Sequence, residues 1–190
     1  ANQFDMPFSG KIPAMIHAWY GGSESGTALA QILFGDVNPS GKLPVTFYRK
    51  LDDCGAIAMG EYPGDGKNVR YNEDIFVGYR YFETFAQDRV LYPFGFGLSY
   101  TDFEIKANGV TADENGFSFD VTVTNTGQYS GKEVVQLYYS APQGKLGKPA
   151  RELAAFKKTK LLAPGESQTI ALSFDIADMA SFDDLGKISK

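Results

Sequence analysis

The sequence is poor in the residues that build compact catalytic and metal centres. Among its 190 residues there is one cysteine, Cys54, which excludes an internal disulfide and a cysteine-rich zinc site. A single histidine, His17, argues against a His-based metal cluster and against a Ser-His-Asp triad. No apolar run approaches the roughly 18 residues of a membrane-spanning helix. The 18 basic residues are outnumbered by 23 acidic ones, giving a net charge of −5 and an isoelectric point near 4.9. Clustered Lys and Arg, needed to release counterions from nucleic acid or to hold an anionic bilayer, are therefore scarce, and neither partner is expected. The start also lacks an initiator Met, a basic segment and an apolar segment, so no signal peptide is visible. An opening of Ala1-Asn2-Gln3-Phe4-Asp5-Met6-Pro7 reads as that of a processed or excised chain.

What is present is ordinary for a globule, with 43% hydrophobic and 22% charged residues. The length allows one domain or two small ones, and a chain folding alone at this size would bury roughly 70% of its unfolded surface. Aromatic content is 14%, with 15 Phe and 11 Tyr. That suits aromatic-rich β structure and also suits sugar binding. Composition does not choose between them.

The first hundred residues and the last ninety differ in texture. Ile12 to Tyr20 is a short apolar run of the length expected for a buried strand. A Gly-rich turn follows over Gly21–Gly26, and then Ala28, Leu29, Ile32 and Leu33 fall on one face of a helix. Ser25 is placed to cap that helix and Gly35 to stop it. Strand, turn and helix make the unit of an α/β layer fold. Asn38-Pro39-Ser40-Gly41 is strong turn chemistry, and Leu43 to Phe47 reads as an edge strand because Pro44 cannot donate a ladder bond. Residues 48–70 read as a surface loop, Ile75 to Phe82 as an aromatic strand, and Tyr92 to Tyr100 as a breaker-rich, close-packed junction.

After Thr101 the apolar period becomes two. Phe117, Phe119, Val121 and Val123 alternate with Ser118, Asp120, Thr122 and Thr124, as in a half-buried antiparallel strand. Asn125-Thr126-Gly127 turns the chain. Further strands are predicted over Asp102–Ala107, Glu133–Ser140, Arg151–Thr159 and Gln168–Phe174, with turn chemistry at Leu161–Glu166. The layout is that of an immunoglobulin-like β-sandwich. Five strands fall short of the seven or so usual for it, and Ile188-Ser189-Lys190 shows no strand pattern, so the sandwich reads as incomplete.

Candidate chemistry is sparse. Gly21–Gly26 could cradle an anion on backbone N–H groups, but it matches neither the phosphate loop nor the dinucleotide fingerprint, and a close-packing turn is the plainer reading. Gly95-Phe96-Gly97 has no helix after it, and Ser23 and Ser25 do not form a nucleophile elbow. Glu24 is the one carboxylate in the Gly-rich turn; a general acid would need burial and a partner carboxylate, and a structural role is favoured. Glu73 and Asp74 could bond sugar hydroxyls or simply be solvated. Trp19 and Tyr20 could stack on a sugar ring, although core filling at a strand end is favoured. His17 reads as a core residue and Cys54 as an idle thiol.

Four stretches carry more than any single residue. They are Trp19-Tyr20-Gly21-Gly22-Ser23-Glu24-Ser25-Gly26, then Leu33 to Phe47 with its Phe34-Gly35-Asp36-Val37-Asn38-Pro39-Ser40-Gly41-Lys42-Leu43-Pro44 centre, Val77-Gly78-Tyr79-Arg80-Tyr81-Phe82, and Tyr92-Pro93-Phe94-Gly95-Phe96-Gly97-Leu98-Ser99-Tyr100. In this order they resemble the C-terminal part of the family 3 glycoside hydrolases, of the β-glucosidase and β-xylosidase kind, over essentially the whole chain.

The resemblance implies a three-layer α/β sandwich segment followed by a fibronectin type III-like β-sandwich. Residues 1–47 would end the α/β sandwich domain, 48–100 would lead out of it, and 101–190 would be the fibronectin-like domain. The family's final Gly-x-Tyr-x-Val strand has no counterpart before the chain ends at Lys190. The family retains anomeric configuration with two carboxylates. Its nucleophile lies in an N-terminal barrel and its acid/base glutamate upstream of Trp19, so neither is carried over, and Glu24 is not promoted to that role. The chain thus reads as a fragment, inactive in isolation. Its partners would be the barrel and the rest of the sandwich domain, its substrate a β-glucoside or short oligosaccharide. No cofactor or metal is implied, and the setting would be secreted or periplasmic. The rival reading is a non-catalytic β-sandwich module binding carbohydrate or protein. Trp19, Tyr20, Glu24 and Glu73 remain the candidate substrate contacts.

Overall fold

Two bodies of structure appear in the computed structural model, which describes residues 6–182 and the backbone of 188–189. The first comprises residues up to Val37 together with Lys42–Phe96; the second comprises Asn38–Gly41 and Gly97 onward. Helices dominate the first and antiparallel strands the second. Both belong to the α/β-plus-β-sandwich class expected from the sequence.

In the first unit, helix α1 spans Ser25–Phe34. Its residues from Thr27 on are mostly strong helix formers, and Gly35 ends it at φ +83°, its N–H bonding to Ile32 O. Only glycine takes that left-handed conformation without a Cβ penalty. The cap position is Glu24, whose side chain makes no capping bond, so Ser25 lies one residue inside the helix and does not cap it. No residue of α1 is buried.

Three predicted strands differ. Ile12–Tyr20 joins no ladder among the described residues, and Ile12, Ile16 and Tyr20 are exposed. An apolar run becomes a strand only when a neighbour takes up its backbone groups. Of Leu43–Phe47, only Phe47 enters a strand: β1, Phe47–Tyr48, pairs antiparallel with β2, Val90–Tyr92. Leu43 instead exchanges two backbone bonds with the glycine-rich stretch, to Phe96 O at 2.8 Å and from Gly95 N at 2.7 Å. Residues 48–70, read as a loop, contain a short 3-10 turn at Leu51–Asp53 and the helix α2, Gly55–Ala58.

The third difference is a change of element. The end of the predicted strand Ile75–Phe82 is the start of helix α3, Tyr79–Phe85, entered through Gly78 at φ +61°. Tyr81, Phe82 and Phe85 sit at helical spacing. Tyr81 and Phe82 are buried together with Ala86, against Tyr48, Met59, Phe76 and Val90. Burial of two large rings outweighs the aromatic preference for strands, which is itself mostly a preference for packing.

The second unit follows its period-two pattern closely. Strands β3 (Phe103–Ala112), β4 (Gly116–Asn125) and β7 (Ser167–Asp175) form one antiparallel sheet in the order β3-β4-β7. Strands β5 (Val134–Tyr139) and β6 (Glu152–Lys158) form a second pair. Val121 and Val123 of β4, Ile170 and Leu172 of β7, Val135 of β5 and Leu162 make the buried core between them. On the outer face, Thr122 meets Thr169 at 2.9 Å and Thr124 meets Ser167 at 2.8 Å, a hydroxyl ladder across the β4–β7 pair. Ile188–Ser189, where no strand pattern is visible, forms β9 and pairs with β8, Ser181–Phe182.

A buried amide organises the end of this unit. Asn125 has no exposed surface. Its Nδ2 donates to Tyr129 O at 2.8 Å and Leu162 O at 2.9 Å, while its Oδ1 accepts from Thr101 Oγ1 at 2.8 Å and Gly127 N at 3.1 Å. All four side-chain hydrogen-bonding positions are filled, as burial in a low dielectric demands. Asn38 plays a related part nearer the surface. Its Nδ2 donates to Ser130 O, and its Oδ1 accepts from Ser99 Oγ and Tyr100 N. The turn Asn38–Gly41 is thereby fastened into the β-sandwich unit.

Candidate functional site

The candidate residues all lie in the first unit, in two groups. Trp19 directly precedes the Tyr20-Gly21-Gly22 approach to α1. It is held at φ +52°, a left-handed conformation costly for a bulky residue. Its ring stacks on His17 with centroids 4.2 Å apart and lies edge-on to the buried Phe47 at 6.3 Å. Its N–H approaches His17 Nδ1 at 3.4 Å. Burial holds the His17 imidazole below its ordinary pKa, so it is neutral at physiological pH. At 38% exposed, Trp19 offers part of its surface outward, whereas Tyr20 is 84% exposed. Glu24 is exposed, with its backbone carbonyl accepting from Ala28 N.

Glu73, itself half-buried, sits elsewhere, in a turn before α3. Its N–H donates to Glu61 Oε1 at 3.0 Å. Its own carboxyl is lodged against Gly55: a Cβ there would lie 2.7 Å from Glu73 Oε1 and 3.4 Å from the Tyr81 ring. Burial, and after it the charge of Glu61, holds the Glu73 carboxyl above its usual value. Glu61 thus works as a clasp for the turn. Among the described residues, no hydrogen bond or ring contact joins Glu73 to Trp19, Tyr20 or Glu24. The first three are neighbours in sequence; Glu73 is not brought to them by any described bond.

Sequence reading did not single out three features of this unit. Glu61 is one; only its distance from Glu73 in space, not in sequence, marks it. Asp65 is another: its carboxylate accepts from Asn68 N at 2.6 Å and Lys67 N at 2.8 Å, and these bonds lower its pKa to about 2. The Asp-Gly-x-Asn spacing is the signal that could have found it. The third is a shallow depression of about 520 Å³ lined by Arg49, Lys50, Asp52, Asp53, Asp88 and Arg89. It holds an ion pair and a side chain to backbone bond. Arg89 lies 4.0 Å from the buried Asp53, and Arg49 Nε donates to Asp88 O at 3.1 Å. Cys54 is partly buried. Among the described residues, no three His, Cys, Asp or Glu side chains converge as a metal ion requires.

Comparison with known proteins supplies what the geometry leaves open. A family profile for the glycosyl hydrolase family 3 C-terminal domain matches residues 1–100, and one for a fibronectin type III-like domain matches 133–188. β-Glucosidase A of Butyrivibrio fibrisolvens is 52% identical over 95% of the chain, which spans 24% of that protein. The β-glucosidase of Ruminococcus albus is 48% identical over 97% of the chain, spanning 19% of that protein. Among solved structures, the β-glucosidase of Kluyveromyces marxianus in complex with glucose matches 98% of the chain at TM-score 0.91 and 40% identity, over 22% of its own length. β-Glucosidase 3B of Thermotoga neapolitana in complex with glucose matches 87% at TM-score 0.80 and 46% identity, over 23% of its length. The chain therefore spans about a fifth to a quarter of the proteins it resembles.

Proposed function

Because this chain belongs to glycosyl hydrolase family 3, in that family's C-terminal region, we propose that it is the C-terminal portion of a retaining β-glycosidase acting on terminal β-linked glucosides or short oligosaccharides. The observation that carries this reading is the match of nearly the whole chain to proteins named β-glucosidases. On this reading the two catalytic carboxylates lie outside the chain, and Glu61 and Glu73 are not that pair. A nucleophile and an acid/base need roughly 5 to 5.5 Å between them and an open path to a sugar. Glu61 is instead occupied by the Glu73 N–H, and the Glu73 carboxyl is lodged against Gly55.

The chain contributes packing surface and, through the exposed Tyr20 ring and the outward part of Trp19, a candidate wall for substrate. Its partners are the N-terminal barrel and the rest of the α/β sandwich domain of the same enzyme. The chemistry needs no metal or organic cofactor. The net charge of −5 supports neither nucleic acid nor membrane as a partner. A secreted or periplasmic setting rests on the family resemblance alone.

The test is hydrolysis of a chromogenic β-glucoside by the chain alone and by the chain reunited with the N-terminal portion of its enzyme. No turnover is expected alone, since loss of the acid/base by itself costs about 10²–10⁴-fold and the nucleophile is missing too. Turnover by the isolated chain would defeat the assignment. Calorimetric binding of oligosaccharides by residues 101–190, with no activity on reunion, would favour a non-catalytic binding module instead.

A further inference from the structure

Strand β3 forms an edge of its sheet, and its residues 104–112 are exposed. The ladder shows which backbone groups face outward. The Thr126 N–H bonds to Asp102 O. By the two-residue alternation of an antiparallel pair, Asp102, Glu104 and Lys106 turn their N–H and C=O toward β4, while Phe103, Ile105 and Ala107 turn theirs away. The register holds without a break from Phe103↔Asn125 to Ala107↔Val121, and the irregularity begins only after Ala107. Among the described residues, no hydrogen bond reaches the outward groups of Phe103, Ile105 and Ala107.

Exposed edges are usually kept apart by bulges and by like charge. The break at Asn108 serves the far half of β3. In the near half, the charges on either side of Ile105 are of opposite sign. If a second copy lays its β3 antiparallel about a two-fold axis at Ile105, Glu104 of each copy stands opposite Lys106 of the other. These are the positions between hydrogen-bonded pairs, where Cα atoms approach to roughly 4.5 Å and side chains are closest. Ile105 bonds to Ile105, and Phe103 pairs with Ala107, each through outward-facing groups. Alternative centres fail. An axis at Glu104 or Lys106 sets that charge against its own copy, one at Phe103 sets Asp102 against Glu104, and one at Ala107 runs into the irregularity after that residue.

We propose that the β3 edge is a self-association surface, pairing two copies of this chain antiparallel about Ile105 into one continuous sheet. Charge complementarity in a single register, with the backbone phase that register requires, commits the edge to a second copy rather than to an unrelated strand. Sedimentation velocity of the full chain tests this. The 20.8 kDa chain dimerises, and added salt weakens the dimer.

E104K alone and K106E alone each set like charges at both symmetric positions and lower dimer affinity by about tenfold or more. An equimolar mixture of the two variants restores association, because the lysine pair of one then faces the glutamate pair of the other. Both substituted sites are exposed, and unchanged circular dichroism melts show that folding is retained. A chain that stays monomeric at its highest soluble concentration overturns the proposal. So does association that both single variants leave intact, or a mixture that fails to recover it.

Discussion

Single buried polar groups and missing side chains set the sharpest demands on this chain. Asn125→Ala strands the Tyr129 and Leu162 carbonyls, the Gly127 N–H and the Thr101 hydroxyl in the interior. The loss expected is about 3 kcal/mol, measured as a lower urea midpoint for the β-sandwich unit. Gly127→Ala acts by crowding: its Cβ would sit 2.2 Å from Thr101 Oγ1 and 2.6 Å from Asp102 N. Backbone cannot yield as a flexible side chain does, so a cost of about 2 kcal/mol or more is expected by the same measurement. The sequence marks Asn125-Thr126-Gly127 as a turn, but not that Asn125 binds Thr101 and Leu162 besides its neighbours Gly127 and Tyr129. Those partners are up to 37 residues away. Glu73 gives a pH dependence. Its carboxyl, raised from 4.5 by burial and by Glu61, holds its proton more tightly folded than unfolded. Stability of the first unit therefore falls as pH rises from about 4.5 through the raised value. Glu73→Gln is expected to be more stable than the parent at neutral pH and equal to it in acid, read from thermal midpoints across pH.

At the scale of the element, position within a sheet matters more than residue type. Ile170 in β7 and Ile105 in β3 belong to the same sheet, yet Ile170 is 1% exposed and Ile105 is 50% exposed. Ile170→Ala is expected to cost about 3 kcal/mol in urea unfolding, and Ile105→Ala within about 0.5 kcal/mol of nothing. The same logic explains which elements could be read in advance. Strands β4 and β7 were legible because each finds its ladder partner and its facing sheet within the described chain, so alternation and burial agree. Ile12–Tyr20 carries the composition of a strand but joins no ladder among the described residues. The strand reading of Ile75–Phe82 fails over Tyr79–Phe82 because Tyr and Phe favour strands on average, while here their spacing places Tyr81 and Phe82 against Tyr48 and Phe76. Local pattern reports what a segment can do; the neighbour decides whether it does. For α3 this is testable by Phe82→Ala, expected to cost the first unit about 3–5 kcal/mol.

Across the whole molecule, the period of two that begins after Thr101 is visible in sequence, and the structure passes into its sheet-dominated body at Gly97. The candidate site was less legible. The ring of Trp19 marks it in the sequence, but the left-handed backbone that holds it against His17 does not show there, nor does the bond from Glu73 to Glu61. Sequence carries ring chemistry and spacing, whereas these contacts join residues through folded turns. The placement of Asn38 was hidden for the same reason, since Asn38-Pro39-Ser40-Gly41 reads as a local turn and its bonds reach Ser99, Tyr100 and Ser130. Asn38→Ala is expected to lower the β-sandwich unit's unfolding free energy by about 1–2 kcal/mol, with urea titration followed by fluorescence as the check.

That fastening bears on how such modules can be recombined. A splice made at Gly97 transfers the β-strands to a new host but leaves behind the tetrapeptide that ties off their end. The graft then arrives with the Ser130 carbonyl, the Ser99 hydroxyl and the Tyr100 N–H deprived of their amide. Gly131 shows the mould left behind, since a Cβ there would strike Asn38 Nδ2 at 2.7 Å. Inheritance of this β-sandwich is therefore discontinuous: the donor segment has to include a short piece of sequence from about sixty residues upstream, or the host has to supply an asparagine in its place.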